Sequence, residues 1–401
     1  MRLVALFLVA AACSGGAKAP AAPPAPSAPT EPAPTASAPA AKPRTTWAPT
    51  QMTLAQSGIV PGWLDTAADP CVDFYAFACG GFLKSATIPA DRSSWSTIQI
   101  VDKDAEDFLH QVLEDAAKAP SNDPTLAKLG GYYAACMDEA AIEQRGIAPI
   151  QPLLDTVAKV TDEASAAAAV IELHANTIFA LFHIRPAQDA ADATQVIASL
   201  DQDGLGLPDR KYYLENKGTM AKTRAAYVAH LGRLFQLLGQ PAARAKASAA
   251  EAMRFETQLA RAQQDDVVRR NPRAVYHRVE RVGLETKIAP SFPWGAYLQG
   301  LGIPAATAIN VHDPAYYTAI AKLLRTTPPQ VLRSYLTATV LREEADDLGK
   351  AWVAEAFTMA QLLTGVKAQP PRWRRCTNRV DDDLGELLGQ SYVKARFAGD
   401  A

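Results

Sequence analysis

An excess of one charge is absent from this sequence: across 401 residues, 40 Lys+Arg stand against 42 Asp+Glu. Nucleic-acid binders concentrate positive charge on one face, so nothing here points to a nucleic-acid partner. The hydrophobic run near the start, Leu3-Val4-Ala5-Leu6-Phe7-Leu8-Val9, is too short to span a bilayer. No two of the six histidines (His110, His174, His183, His230, His277, His312) lie four residues apart. That excludes a His-Glu-x-x-His helix presenting two imidazoles and a base to zinc. His174 and His183 are nine apart, which puts them on different helical faces or different elements. Each histidine reads as a surface residue or a satisfied core residue. A Gly-x-Ser-x-Gly elbow and a Gly-rich phosphate loop ending in Lys-Ser/Thr are also missing. The residues alone specify no reaction.

Proline is plentiful but badly distributed for a folded domain. Ten of the 29 prolines fall between Pro20 and Pro49, among Ala, Ser and Thr. Such a segment buries too little apolar surface to offset its conformational entropy, so residues 14–50 are expected to form an extended tether. Ahead of it, Arg2 precedes the apolar run and then small residues, Ala10-Ala11-Ala12, lead into Cys13. This is the layout of a secretory signal over residues 1–12. The junction is similar to the lipobox of bacterial lipoproteins, with Cys13 as the acylated residue, and the alternative is a signal peptide cut at a nearby alanine. Lipidation at Cys13 makes the chain an exported cell-envelope lipoprotein whose tether clears the membrane surface.

The remaining cysteines are Cys71, Cys79, Cys136 and Cys376. Export places them in an oxidising compartment, where disulfides are the default, and four cysteines allow three pairings. None of them shows the short gap of a zinc knuckle.

From residue 51 onward helical periodicity dominates. Val101, Ala105, Phe108, Leu109, Val112 and Leu113 share a stripe, as do Tyr227, Val228, Leu231, Leu234, Phe235 and Leu238 before the stop at Gly239. Pro241 to about Arg261 is dense in good helix formers, and Pro328-Pro329 opens another run through Leu341. Thr194–Leu200 is the best alternating stretch. The expectation is a mainly α fold with at most a small β element. Gly204–Arg210 reads as a turn leading to Tyr212-Tyr213-Leu214. Asp381-Asp382-Asp383 reads as the acidic start of a helix, and Arg372–Arg375 as a local ion-pair surface.

Several blocks in order resemble the neprilysin and endothelin-converting-enzyme family of zinc metallopeptidases. They are Asp69-Pro70-Cys71-Val72-Asp73-Phe74-Tyr75-Ala76-Phe77-Ala78-Cys79-Gly80-Gly81-Phe82, Gly131-Tyr132-Tyr133-Ala134-Ala135-Cys136-Met137-Asp138, Gly204-Leu205-Gly206-Leu207-Pro208-Asp209-Arg210-Lys211-Tyr212-Tyr213-Leu214, Arg372-Trp373-Arg374-Arg375-Cys376 and Leu387-Leu388-Gly389-Gln390-Ser391-Tyr392-Val393. The resemblance implies, for residues 51–401, the helical N-terminal part of such an enzyme, which caps a catalytic domain and encloses a cavity admitting peptides. In the family the zinc-binding His-Glu-x-x-His helix lies further along the chain than residue 401. The resemblance therefore carries over no catalytic residue, metal ligand or zinc to this sequence, and implies a truncated or split form, inactive alone. The alternative is a non-catalytic lipoprotein that binds peptides or a partner, such as a separately encoded catalytic domain. It also implies a Cys136–Cys376 disulfide. The family partners of Cys71 and Cys79 lie in the catalytic domain, which leaves these two unpaired, bonded to each other, or bonded to another chain. Where relatives carry an Arg that reaches a peptide's C-terminal carboxylate, this sequence has Ser94, and Arg92 is the nearby substitute.

Overall fold

A computed structural model describes residues 57–118 and 122–397. The signal segment, Cys13 and residues 14–50 of the tether lie outside the described residues. The fold is predominantly helical, with sixteen α-helical segments and four short strands among the described residues. These residues divide into two compact units, the first ending at Leu83 and the second beginning at Lys84.

The first unit is a turn folded back on a helix. Asp73 accepts a hydrogen bond from the Ala76 amide at 2.8 Å, in the manner of an N-cap, and starts the helix Phe74–Ser85. The backbone of residues 62–64 lies so close to this helix that a Cβ at Gly81 would sit 2.4 Å from the Gly62 carbonyl oxygen. Only glycine permits that approach. The contact is closed by the Asp65 amide donating to Phe77 O at 2.8 Å and by Trp63 set edge-on to Phe82.

The second unit has two hydrophobic cores. The larger gathers the helices Glu163–Ala175, Met220–Leu237, Ala242–Ala262, Pro314–Thr326 and Pro329–Glu344, with Val170, Leu173, Leu231, Phe255, Tyr316 and Tyr335 fully buried. Each large aliphatic or aromatic side chain so buried contributes about 1.5–3 kcal/mol. Local signals agree with the packing. Asp162 and Ser165 form a capping box at the start of Glu163–Ala175, and Asp313 caps Pro314–Thr326 with proline in the first turn.

Against this core lies a small sheet of β1 (Phe182–Gln188), β2 (Val196–Gln202), β3 (Arg278–Glu280) and β4 (Ala308–Val311), in the order β1-β2-β4-β3. β1 and β2 are antiparallel, with Phe182 opposite Gln202. β2 and β4 are parallel, with Leu200 opposite Val311, and β3 returns antiparallel to β4. The chain enters β1 through Leu181 at φ 68°, a left-handed conformation costly for a branched residue. Two tyrosines hold it there: Tyr335 Oη accepts from the Leu181 amide at 2.9 Å, and Tyr316 Oη donates to the Leu181 carbonyl.

The smaller core is a three-helix cluster of Thr97–Lys118, Pro124–Met137 and Arg372–Arg396. Leu113, Leu129, Tyr133, Cys376, Val380 and Leu388 are buried between them. Asp381, Asp382 and Asp383 do not open a helix, as their composition suggested. The helix already begins at Arg372, and the acidic run sits just before a kink at Leu384 (φ −133°, ψ 23°).

Candidate functional site

The three-helix cluster is tied by a disulfide between Cys136 and Cys376, whose Cα atoms are 5.7 Å apart. Cys136 closes the Pro124–Met137 helix, and Cys376 lies in the first turns of Arg372–Arg396. Arg372 reinforces the junction by donating from Nε to the Cys136 carbonyl at 3.0 Å. Cys71 and Cys79 carry free thiols; the first is exposed and the second partly so.

Two residues before Cys376, Arg374 reaches Asp91 at 2.7 Å and Glu106 at 3.4 Å. Arg92 pairs with the same Glu106 and lies over the Trp95 ring, 5.5 Å from its centroid. The segment after Ala90 is held from the other side by the amides of Lys367 and Ala368, both donating to Ala90 O. These contacts frame a cleft of about 420 Å³, lined by Arg92, Ser94, Gln99 and Asp102 opposite Phe357 and Val366. The structure thus places Arg92 in a cleft wall, with its guanidinium already on a carboxylate. A peptide carboxylate would reach it only by competing with Glu106. Ser94 faces the same cleft and accepts a long hydrogen bond from Gln99 at 3.4 Å.

The histidines do not converge. His174 is buried between Tyr297 Oη and the Ala180 carbonyl, each at 2.8 Å, and burial lowers its pKa to about 4. His230 meets Glu355 at 2.7 Å, His183 meets Asp203 at 3.1 Å, and His110 stacks on Trp373. Among the described residues no group of three His, Cys, Asp or Glu side chains is arranged to hold a metal ion.

One arrangement does imitate catalytic geometry. Ser199 Oγ lies 3.0 Å from His312 Nε2, and His312 Nδ1 lies 3.2 Å from Asp201 Oδ2. These are the contacts of a serine–histidine–aspartate triad. Ser199, however, is only 1% exposed, inside β2 with β1 and β4 on either side, so no acyl carbon can approach its oxygen. The trio is a polar pin between β2 and the end of β4, completed by Arg269 on Asp201 at 2.6 Å. Burial acts to raise the Asp201 pKa, but His312 and Arg269 outweigh it and bring the group down to about 2. A carboxyl depressed in the folded state stabilises the protein above its unfolded pKa near 4 and loses that contribution as pH falls through about 2. The contribution is about 2 kcal/mol. In urea unfolding between pH 7 and pH 2, Asp201→Asn is expected to lose this increment at neutral pH and to flatten the acid limb. An unchanged pH profile would show that the pin carries no such linkage.

The model of peptidase family M13, in its N-terminal region, matches residues 70–401. The chain belongs to peptidase family M13. Human endothelin-converting enzyme 1 is 29% identical over 351 residues, covering 84% of this chain and 45% of that protein. The mouse enzyme is 29% identical over 353 residues with the same coverage. This chain thus spans about half the length of the curated relatives it matches. Among solved structures, the Mycobacterium tuberculosis zinc metalloprotease ZMP1 in complex with an inhibitor superposes with a TM-score of 0.79 at 29% identity. That match covers 84% of this chain and 52% of ZMP1. PepO from Lactobacillus rhamnosis, at 22% identity and a TM-score of 0.67, shares the fold.

As a member of M13, the chain shows why the Gly204–Arg210 block has its composition, which the sequence explained only as a turn. The turn is there, but it packs on a buried polar network. Glu256, fully buried, accepts from Tyr213 Oη at 2.6 Å and Tyr227 Oη at 2.8 Å. Tyr213 Oη in turn accepts from the Leu207 amide at 2.8 Å. The signal available in sequence was the spacing of two glycines with a Tyr-Tyr pair. The glutamate that completes the network lies more than forty residues further on, and its helix reads as ordinary amphipathic sequence.

Proposed function

We propose that this chain is the helical, peptide-admitting cap of an M13-type zinc metallopeptidase, working with a catalytic segment that these 401 residues do not supply. The observation that carries the reading is the extent of the match: 84% of this chain aligns with 45% of endothelin-converting enzyme 1. The described residues meanwhile offer no metal-ligand set. Surface chemistry supports a polypeptide partner. In the first unit Val72, Phe74 and Tyr75 are 84%, 69% and 64% exposed, beside the free thiol of Cys71. In the second unit Ile98 and Val101, one turn apart on Thr97–Lys118, are also exposed. Apolar side chains clustered in this way mark surfaces that other chains cover.

We further propose export and anchoring through an acylated Cys13, which places the cap at a membrane surface. Among the described residues no helix is long and apolar enough to cross a membrane. The functional test is peptide hydrolysis by the purified chain with zinc added or chelated. No zinc-dependent cleavage by this chain alone is expected, and turnover that a chelator abolishes would overturn the proposal.

A further inference from the structure

The face of the sheet that packs on the larger core runs out of cover at one end. Cross-strand partners share a face, so Ile184 and Pro186 of β1 lie with Leu200, Ala198 and Val196 of β2 on one apolar row. Along that row burial falls away: Leu200 is fully buried, Ile184 and Ala198 partly so, and Val196 is 72% exposed. A cavity of about 380 Å³ opens there, lined also by Phe179, Leu301 and Ile303. Phe179 stands between Thr177 (φ 61°) and Leu181 (φ 68°), both left-handed, so the chain accepts strain on either side of the ring that lines the cavity. Two polar side chains reach it. His174 is spent on Tyr297 and the Ala180 carbonyl. Arg185 is exposed and, among the described residues, has neither hydrogen bond nor ion pair.

We propose that this cavity binds a fatty acid, its alkyl chain along the apolar row and its carboxylate on Arg185. An apolar cavity with one convergent polar group is the usual form of a small-molecule site, and the volume lies within the roughly 300–1,000 Å³ such sites span. A guanidinium fork matches a carboxylate in two parallel hydrogen bonds, whereas an alkylammonium would set a second cation beside Arg185. An added peptide strand fits less well. The Asp203 amide donates to Leu181 O and the Asp189 amide to Gln195 O, so odd-numbered residues of β1 face β2 and even-numbered ones face outward. Pro186 is therefore on the open edge, where it offers no N–H to an incoming strand. An alkyl chain has no amide to satisfy in apolar surroundings. The site does not include the Arg92 cleft and borrows nothing from the peptidase reading, so its failure leaves that reading untouched.

The experiment is calorimetric titration of the full chain with hexanoate, octanoate and decanoate, each below its micellar concentration, beside decylamine and an acetylated, amidated leucine-rich peptide. Saturable one-to-one binding of decanoate is expected, with affinity rising about fifteenfold for each two-carbon step. Decylamine is expected to bind at least about tenfold more weakly than decanoate, the cost of one lost charge-assisted contact. Arg185→Gln is expected to weaken decanoate by a similar factor and to abolish its advantage over decylamine, without lowering the melting midpoint, since Arg185 is exposed and unpaired. Ala198→Phe, which fills the cavity from β2, is expected to remove saturable binding. Absence of saturable decanoate binding, decylamine as tight as decanoate, full affinity in Arg185→Gln, or the peptide displacing decanoate with higher affinity would each overturn the proposal. The decanoate and decylamine comparison uses the unaltered protein and decides even where a variant fails to fold.

Discussion

Replacing both Cys136 and Cys376 with alanine is expected to lower the free energy of unfolding by about 4–5 kcal/mol. The bond joins residues 240 apart in sequence, so it removes a very large loop from the unfolded ensemble. The chain-entropy relation puts a loop of this size at about 5 kcal/mol, and residual structure in the denatured state trims that figure. The loss should also be local. Cys376 sits among Leu113, Leu129, Tyr133, Val380 and Leu388, so the bond closes the small core that joins these three helices. Hydrogen exchange should therefore rise first in Thr97–Lys118, Pro124–Met137 and Arg372–Arg396, while the larger core stays protected. Denaturant titration of the double variant checks the magnitude. A change below about 1 kcal/mol would show that the clasp is incidental to stability.

The second large effect is expected at Gly206. A Cβ there would lie 1.9 Å from Tyr227 Oη and 2.3 Å from Arg342 Nη1. Neither neighbour can yield cheaply, because Tyr227 is buried and committed to Glu256 at 2.8 Å. Burial raises the Glu256 pKa, and Arg342, Tyr213 and Tyr227 are the groups that hold its charge. Pushing any of them aside leaves a buried carboxyl short of partners, a loss of about 3–5 kcal/mol. Gly206→Ala is therefore expected to destabilise by about 3 kcal/mol or more. Gly131→Ala is the control: its Cβ would meet nothing within 4 Å inside the helix Pro124–Met137. There the same change should stabilise by about 0.5–1 kcal/mol. Equal effects at the two sites would refute the network argument.

Much of the helical frame was legible before any coordinates. The stripe from Tyr227 to Leu238 falls on Met220–Leu237 and its C-cap residue, and the Ala-rich run after Pro241 is Ala242–Ala262. Periodicity is a local property, and these helices bury the face their sequence marks. The stripe beginning at Val101 shows the limit of such reading. Leu113 is fully buried while Val101 is 64% exposed, because period reveals a sticky face and not what covers it. Of the sheet, only β2 was foreseen. β3 and β4 are three and four residues long, too short to show alternation, and β1 is interrupted by Pro186. The charge contacts were the least legible. Arg92 and Arg374 meet on Glu106 from positions almost three hundred residues apart, and nothing in a single sequence announces that meeting.

We propose that this chain supplies the helical cap of an M13 peptidase and no zinc chemistry of its own. The most direct test is zinc content and peptide cleavage measured together on the purified full chain. Less than stoichiometric zinc after equilibrium dialysis, and no peptide cleavage that zinc restores after chelation, is the predicted result. Tight one-to-one zinc with chelator-sensitive cleavage would contradict it.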